Sequence, residues 1–152
     1  MNPLTGKKNF IVKQANFDDV HYILQHMRPS DKDEILATEF DDDMERIAQK
    51  FVNHCELQWV LCLPQGKAVA FLAASRLWPH MAQIGFMATE DWSKIAFSAS
   101  KWLKLSMEKI CEHFEVRQLM CFADKRHKDS RKWLKWLGFV EQAKLSHIGK
   151  NG

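Results

Sequence analysis

Hydrophobic and polar positions change period several times along the chain. Residues 10–14, Phe-Ile-Val-Lys-Gln, are β-favouring and predict a first strand. Asn16 offers an N-cap, and Phe17, Val20, Ile23, Leu24 and Met27 then recur at helical spacing. Arg28-Pro29 breaks this helix, and Ser30 with Asp33 predicts a capped second helix over 31–37. Asp41, Asp42 and Asp43 stand at the start of a third helix running to about Asn53, where carboxylates suit the positive end of the dipole. The period then shortens. Residues 58–63 form a continuous apolar strand, 64–67 a turn in which Gly66 can take positive φ, and 68–75 the returning strand. A third run over 81–89 completes an antiparallel meander. Ile95, Trp102, Leu103, Leu105, Met107, Ile110 and Phe114 mark the apolar side of a long helix capped by Ser93 and ending near Glu115. A strand over 118–123, a basic amphipathic helix over 127–137 stopped by Gly138, and a last strand from 139 to about 147 follow.

Strand, helix, strand at the end of the chain requires a crossover, so part of the sheet is parallel. The expected class is α+β: one domain spanning 1–152, with a mixed, mostly antiparallel sheet. With 46% hydrophobic and 27% charged residues, the chain is neither a disordered tail nor a fibre. A single tyrosine among 152 residues leaves few phenols for acid chemistry. No apolar run approaches the ~18 residues of a membrane span, and no apolar stretch follows the early lysines, which predicts a cytoplasmic protein with no membrane partner. Cys55, Cys62, Cys111 and Cys121 are scattered without metal spacing and read as free thiols. The Asp41–Asp43 run lacks the glycine and terminal glutamate of a calcium loop, so no metal is expected.

Charge is unevenly divided. Residues 1–56 carry 7 basic and 11 acidic side chains, net −4; residues 57–152 carry 15 and 8, net +7. An anionic ligand or partner is drawn to the second half.

The element order, and above all the tail 121–139, resembles the GNAT family of N-acetyltransferases. That family's tail reads as a strand, then Asn-x-x-Ala, then a short helix ending in Tyr-x-x-x-Gly-Phe. Here Gly138-Phe139 is the final pair, with Leu134 at the tyrosine position, Ser130 at the small residue and His127 at the asparagine. A narrower resemblance is to the GNAT-like proteins of tailed phages, including the internal virion proteins of short-tailed phages. It lies in the segment Met27-Arg28-Pro29-Ser30-Asp31-Lys32-Asp33-Glu34-Ile35, in a tryptophan-bearing start of the long helix without a glycine loop, and in the ending Trp133-Leu134-Lys135-Trp136-Leu137-Gly138-Phe139. The resemblance implies a GNAT-like fold with helices on both sheet faces and a splayed parallel pair formed by 81–89 and 118–123. It also implies acetyl-CoA as cofactor and an amine as acceptor. For the phage subgroup it implies phage structural proteins as partners and a place in the host cytoplasm or the virion.

On the same resemblance, Met87, Ala88, Thr89, Ser93, Lys94, Ile95, Ala96, His127, Ser130 and Arg131 stand where the cofactor is held. The family cradles pyrophosphate on a Gln/Arg-x-x-Gly-x-Gly/Ala loop at a helix N-terminus, where bare backbone can approach phosphate. This chain reads Asp91-Trp92-Ser93-Lys94-Ile95-Ala96, in which only Ala96 matches. Asp91 beside Glu90 has the wrong sign for an anion cradle, offset in part by Lys94 and by the hydroxyls of Ser93 and Ser98. Amine acylation needs a base and an acid. Leu134 cannot donate a proton, Tyr22 lies in the first helix at a core spacing, and no carboxylate falls within 81–89. His80 and Glu90 flank that strand at opposite ends and are the candidate bases, acting through water. The cluster Lys125, Arg126, Lys128, Arg131, Lys132 and Lys135 fits CoA phosphates, nucleic acid stacked on Trp133 or Trp136, or a solvated face whose tryptophans pack inward. Three functions follow: an acyl-CoA-dependent N-acyltransferase with a degenerate site, a non-catalytic phage assembly protein that kept the fold, or a nucleic-acid-binding module.

Overall fold

The computed structural model describes residues 9–146 and Gly149. In chain order its elements are β1 (Ile11–Gln14), α1 (Phe17–His26), α2 (Pro29–Ala37), α3 (Met44–His54), β2 (Leu57–Cys62), β3 (Ala68–Trp78), β4 (Met81–Ala88), α4 (Trp92–Phe114), β5 (Gln118–Met120) and α5 (Lys128–Leu137). The strands form one sheet in the order β1-β2-β3-β4-β5. The first four pair antiparallel, and β5 joins β4 in parallel. The β2–β3 turn closes because Gly66 takes φ 98°, and Leu63 N–H donates to Lys67 O at 2.9 Å.

Seven successive residues of β3, Ala68 to Ala74, are buried. A strand covered on both faces has no solvent side on which to place polar residues. One face packs Val60, Phe71 and Met87 against Val20, Ile23 and Leu24 of α1 and Ile47 of α3. The other packs Leu61, Leu72 and Ile84 against Ile95, Trp102, Leu103 and Ile110 of α4 and Leu137 of α5. Full burial of each large aliphatic side chain is worth ~1.5–3 kcal/mol, so the two layers hold the sheet from both sides.

Local chemistry sets the helix ends. The Asn16 side chain accepts from Asp19 N–H at 2.9 Å at the start of α1, and Asp43 accepts from Arg46 N–H at 3.2 Å at the start of α3. Glu115 ends α4 with φ 55°, and Gly138 ends α5 with φ 109°. Phe139 N–H then donates to Leu134 O at 3.0 Å, the return bond of a glycine-terminated helix.

Several boundaries differ from the sequence reading. Helix α2 starts at Pro29 rather than 31, because proline at the first helical position loses no hydrogen bond; Ser30 lies inside it and is no cap. Helix α4 starts at Trp92, so Ser93 is also internal, its Oγ donating to Glu90 O at 3.3 Å. Leu105 is exposed. Strand β5 ends at Met120 instead of 123. The expected last strand does not form over 139–146, where Val140 and Leu145 are exposed; His147 lies outside the described residues. All four cysteines are free. No described helix is long and apolar enough to cross a membrane.

Candidate functional site

The parallel ladder between β4 and β5 has three pairs, the last joining Gln83 to Met120. Beyond it the strands part. A cavity of about 70 Å³ passes through the sheet there. Its volume is about half of the ~150 Å³ that takes a benzene ring. Its α4–α5 end is apolar, with Leu103, Met107, Trp133, Leu134 and Leu137. Its α2 end is polar, with Arg28, Asp31 and Glu34.

Strand alternation decides which backbone groups face the opening. Thr89 N–H donates to Val69 O at 2.8 Å, so Thr89, Met87 and Gly85 turn their polar backbone toward β3. Ala88, Phe86 and Ile84 turn theirs outward. Ala88 is already engaged: its N–H donates to Asp31 Oδ2 at 2.7 Å, and its carbonyl accepts from Arg28 N–H at 2.9 Å. Ile84 and Phe86 are the outward-facing residues between the last ladder pair and this clamp, and both line the cavity. The Phe86 ring lies 4.9 Å from both Trp92 and Trp133, the latter also lining the cavity. Trp133 Nε1 donates to Ser100 Oγ at 2.9 Å and fastens α5 to α4.

The polar end gathers ionisable groups that the sequence reading did not select. Asp31 is 3% exposed and takes a forked contact from Arg28 at 2.9–3.0 Å. Glu34 accepts from Asp124 N–H at 3.1 Å. Burial raises the pKa of both carboxyls above the ordinary range, against the opposing pull of Arg28 and of these N–H donors. Burial, then the Glu34 charge, pushes the Cys121 thiol up to about 11, so it is no thiolate nucleophile at neutral pH. Asp124 is held well below the ordinary range by the Arg126 guanidinium. His127 Nε2 is buried without a hydrogen-bond partner, 3.8 Å from Asp33 and 4.0 Å from Asp124. The available sequence signal was the Arg28–Asp31 spacing of three, which turns charges toward each other on one helix face.

The residues singled out from sequence separate into groups. Ser130 lines the cavity with Leu134. His127 lies by Asp33 and Asp124, outside that lining. Arg131 points elsewhere, donating to Lys125 O and to Glu141 at 3.1 Å. Met87 and Ile95 are buried, Met87 against the α1–α3 layer and Ile95 in the opposite one. Ala96 is half-buried against the latter. Thr89 is buried, and its Oγ1 accepts from Asp91 N–H at 3.3 Å. Ser93 and Lys94 are exposed at the start of α4. Asp91 there is paired with Lys67 and Lys94, both at 2.9 Å, which lowers its pKa, Lys67 most strongly. The sign mismatch expected at that helix end is therefore largely neutralised within the chain. Glu90 is exposed and does not line the cavity. His80 is exposed at the far end of β4, its carbonyl receiving Arg117 and Gln118 N–H. Tyr22 is half-buried and stacked on His26 at 4.2 Å. Among the described residues no group of His, Cys, Asp and Glu is arranged to hold a metal.

These shifts set a pH profile. Asp31 and Glu34, with raised pKa values, protonate more readily folded than unfolded, so acidification from neutrality first stabilises the fold. Asp91 and Asp124 act oppositely: their contribution is present above the ordinary carboxylate value and is lost as pH falls through their depressed values. Urea unfolding across pH is expected to show stability rising from neutrality toward the ordinary carboxylate range and falling below it. A steady decline from neutrality downward would mean that burial of Asp31 and Glu34 carries no cost.

No protein-family profile matches this chain, and no curated protein does. Solved structures do. The chain is similar to a GNAT-family acetyltransferase from Bacillus anthracis, with TM-score 0.66 and 12% identity over 90% of this chain and 82% of that one. It is similar to ribosomal-protein-S5-alanine acetyltransferase from Vibrio fischeri, with TM-score 0.62 and 14% identity over 91% and 83%. It is also similar to aminoglycoside antibiotic 6'-N-acetyltransferase from Acinetobacter baumannii, with TM-score 0.60 and 15% identity over 93% and 98%. At these identities the likeness is one of fold. The chain has the GNAT fold: a single α+β domain whose open mixed sheet splays at its parallel pair.

Proposed function

We propose that this chain transfers an acyl group from a thioester donor, acetyl-CoA, to an amine in the β4–β5 cleft, at a low intrinsic rate. The observation that carries the reading is the cavity through the splay, with outward-facing Phe86 backbone on one wall and the Glu34 carboxylate at one end. A GNAT fold supports it as the framework of known acetyltransferases.

The residues fit the donor's arm. Phe86 presents an amide and a carbonyl at a strand edge, which an extended amide-bearing chain can pair with. Ser130, Trp133 and Leu134 wall the slot. At the first turn of α4 the helix dipole favours an anion, and Lys67 and Lys94 offset the Asp91 carboxylate that stands where the family has its glycine loop. When bound, the cofactor supplies the acyl group as an activated thioester. Asp33 and Glu34 draw a cationic amine to the opposite end, and Glu34, its pKa raised by burial, takes the proton that the amine must lose. Leu134 gives no proton to the departing thiolate, which is why the rate is low.

A second reading is a non-catalytic protein that kept the fold, favoured by Leu134 at the proton donor's position in the cavity wall; its phage origin rests on the sequence resemblance alone.

Acetyl-CoA at millimolar concentration is expected to raise the melting temperature by mass action, and Glu34→Gln to keep that shift while lowering thiol release with an amine panel by about 10²-fold. Absence of both heat and thermal shift with acetyl-CoA overturns the transferase reading in favour of the second.

A further inference from the structure

Phe40 lies between α2 and α3 and is fully exposed. Leaving a Phe side chain in water forgoes the ~1.5–3 kcal/mol that burial would bring. The loop is nevertheless fixed on both sides of it by one guanidinium. Arg46 donates to buried Glu39 at 3.2 Å and to Asp41 Oδ1 at 2.8 Å, and Lys50 also pairs with Glu39. Asp41 further accepts from Asp43 N–H at 3.1 Å. The phenyl ring is thus displayed on a braced loop among exposed Asp41, Asp42 and Asp43. A preformed aromatic anchor loses little conformational entropy on docking.

The opposite layer of the molecule carries the complementary surface. On the outer side of α4 and α5, Phe97, Leu105 and Trp136 are exposed. Lys101 Nζ lies 4.2 Å from the Phe97 ring centre and Lys104 Nζ 4.6 Å from that of Trp136. The patch ends one turn on, at exposed Glu108. It therefore offers apolar contact area flanked by two ammonium groups, against a phenyl flanked by exposed Asp41, Asp42 and Asp43, of which Asp41 is paired with Arg46. The two surfaces cannot meet within one molecule, because α3 and α4 pack on opposite faces of the sheet.

We propose that the Phe40 loop of one copy seats on the Phe97–Leu105–Trp136 ridge of a second copy, so that the chain self-associates head to tail. The occupant follows from charge: the N-terminal 56 residues carry net −4 and the remainder +7. A contact between two different patches is heterologous and leaves one patch open on each end of a dimer, so association proceeds to rings or filaments. This inference is independent of the transferase reading.

Sedimentation velocity over a concentration series tests it. The wild type is expected to gain mass with concentration at low salt and to lose that gain at high salt. Phe40→Ala is expected to weaken association about tenfold or more, and the double variant Lys101→Glu/Lys104→Glu similarly. Mixing these two variants restores one intact contact and stops at a one-to-one complex. All altered side chains are exposed, and unchanged melting temperatures certify that the variants fold. A wild type that stays monomeric at every concentration overturns the proposal. So does self-association indifferent to Phe40→Ala. Binding of a single-stranded oligonucleotide to the ridge of a protein that stays monomeric overturns it as well, in favour of a nucleic-acid partner.

Discussion

Leu134→Tyr is expected to raise thiol release by ~10²–10⁴-fold, the range of a positioned general acid. Leu134 lines the cavity on α5, and its carbonyl is fixed by the Phe139 N–H at the end of that helix. The backbone is therefore held while the side chain faces open space. A phenol there can protonate a departing thiolate, which leucine cannot. On the proposed transferase reading the wild-type rate rests on holding donor and amine together, which alone can supply several kcal/mol, and on Glu34. The measurement is thiol release with an amine panel, wild type against variant, beside an acetyl-CoA thermal shift for each. An unchanged rate in a variant that still binds acetyl-CoA would show that the phenol does not reach the leaving sulfur. Wild-type turnover near ~10 s⁻¹, an ordinary enzyme rate, would mean that His127 or another residue already serves as the acid.

Asp31→Ala is expected to destabilise the fold by about 3–5 kcal/mol, the cost of removing one partner of a buried ion pair. At ~2–4 °C per kcal/mol for a chain of this size, the melting temperature falls by about 6–20 °C. The forked contact suggests a strong pair, yet the raised pKa of Asp31 says that burial outweighs the attraction of Arg28. Both hold: the ionised carboxylate is costly to bury, and removing it leaves the buried Ala88 N–H without its acceptor and the partly exposed Arg28 without its partner. Asp31→Asn keeps an acceptor for that N–H without the buried charge and is expected to lose distinctly less. Calorimetric melting of the two variants decides; an Asp31→Ala protein as stable as the wild type would mean that α2 is held by other contacts.

Much of the architecture was legible from periodicity. The meander, the long α4 and the Gly138 stop are where the spacing puts them, because each follows from a local rule. The boundaries that moved are those where two local rules compete, as at Pro29 against Ser30. The last strand failed for a different reason. Residues 139–146 alternate weakly, and a strand exists only if an edge receives it, which no local pattern guarantees. The site was legible only in outline. Ser130, Leu134 and His127 came from a tail motif; Ser130 and Leu134 line the cavity, and His127 lies by Asp33 and Asp124 outside its lining. Asp31 and Glu34 were not selected, because their importance comes from contacts with Ala88 and Asp124 far along the chain. Phe86 was missed by one step of alternation: which strand residue opens outward depends on the β3 register, which sequence does not display.

The three-residue ladder between β4 and β5 has a consequence for how the molecule comes apart. One wall of the cleft belongs to the four antiparallel strands β1–β4, covered by helices on both faces. The other, β5 with α5, is attached by three backbone pairs, the rings around Trp133 and a few leucines. Cooperative units open at their sparsest boundary, and here that boundary is the cleft itself. The segment carrying β5 and α5 is thus expected to exchange its amide protons before the meander and α4 do. A ligand spanning both walls would act as a staple, tying its own affinity to the free energy of closing that segment.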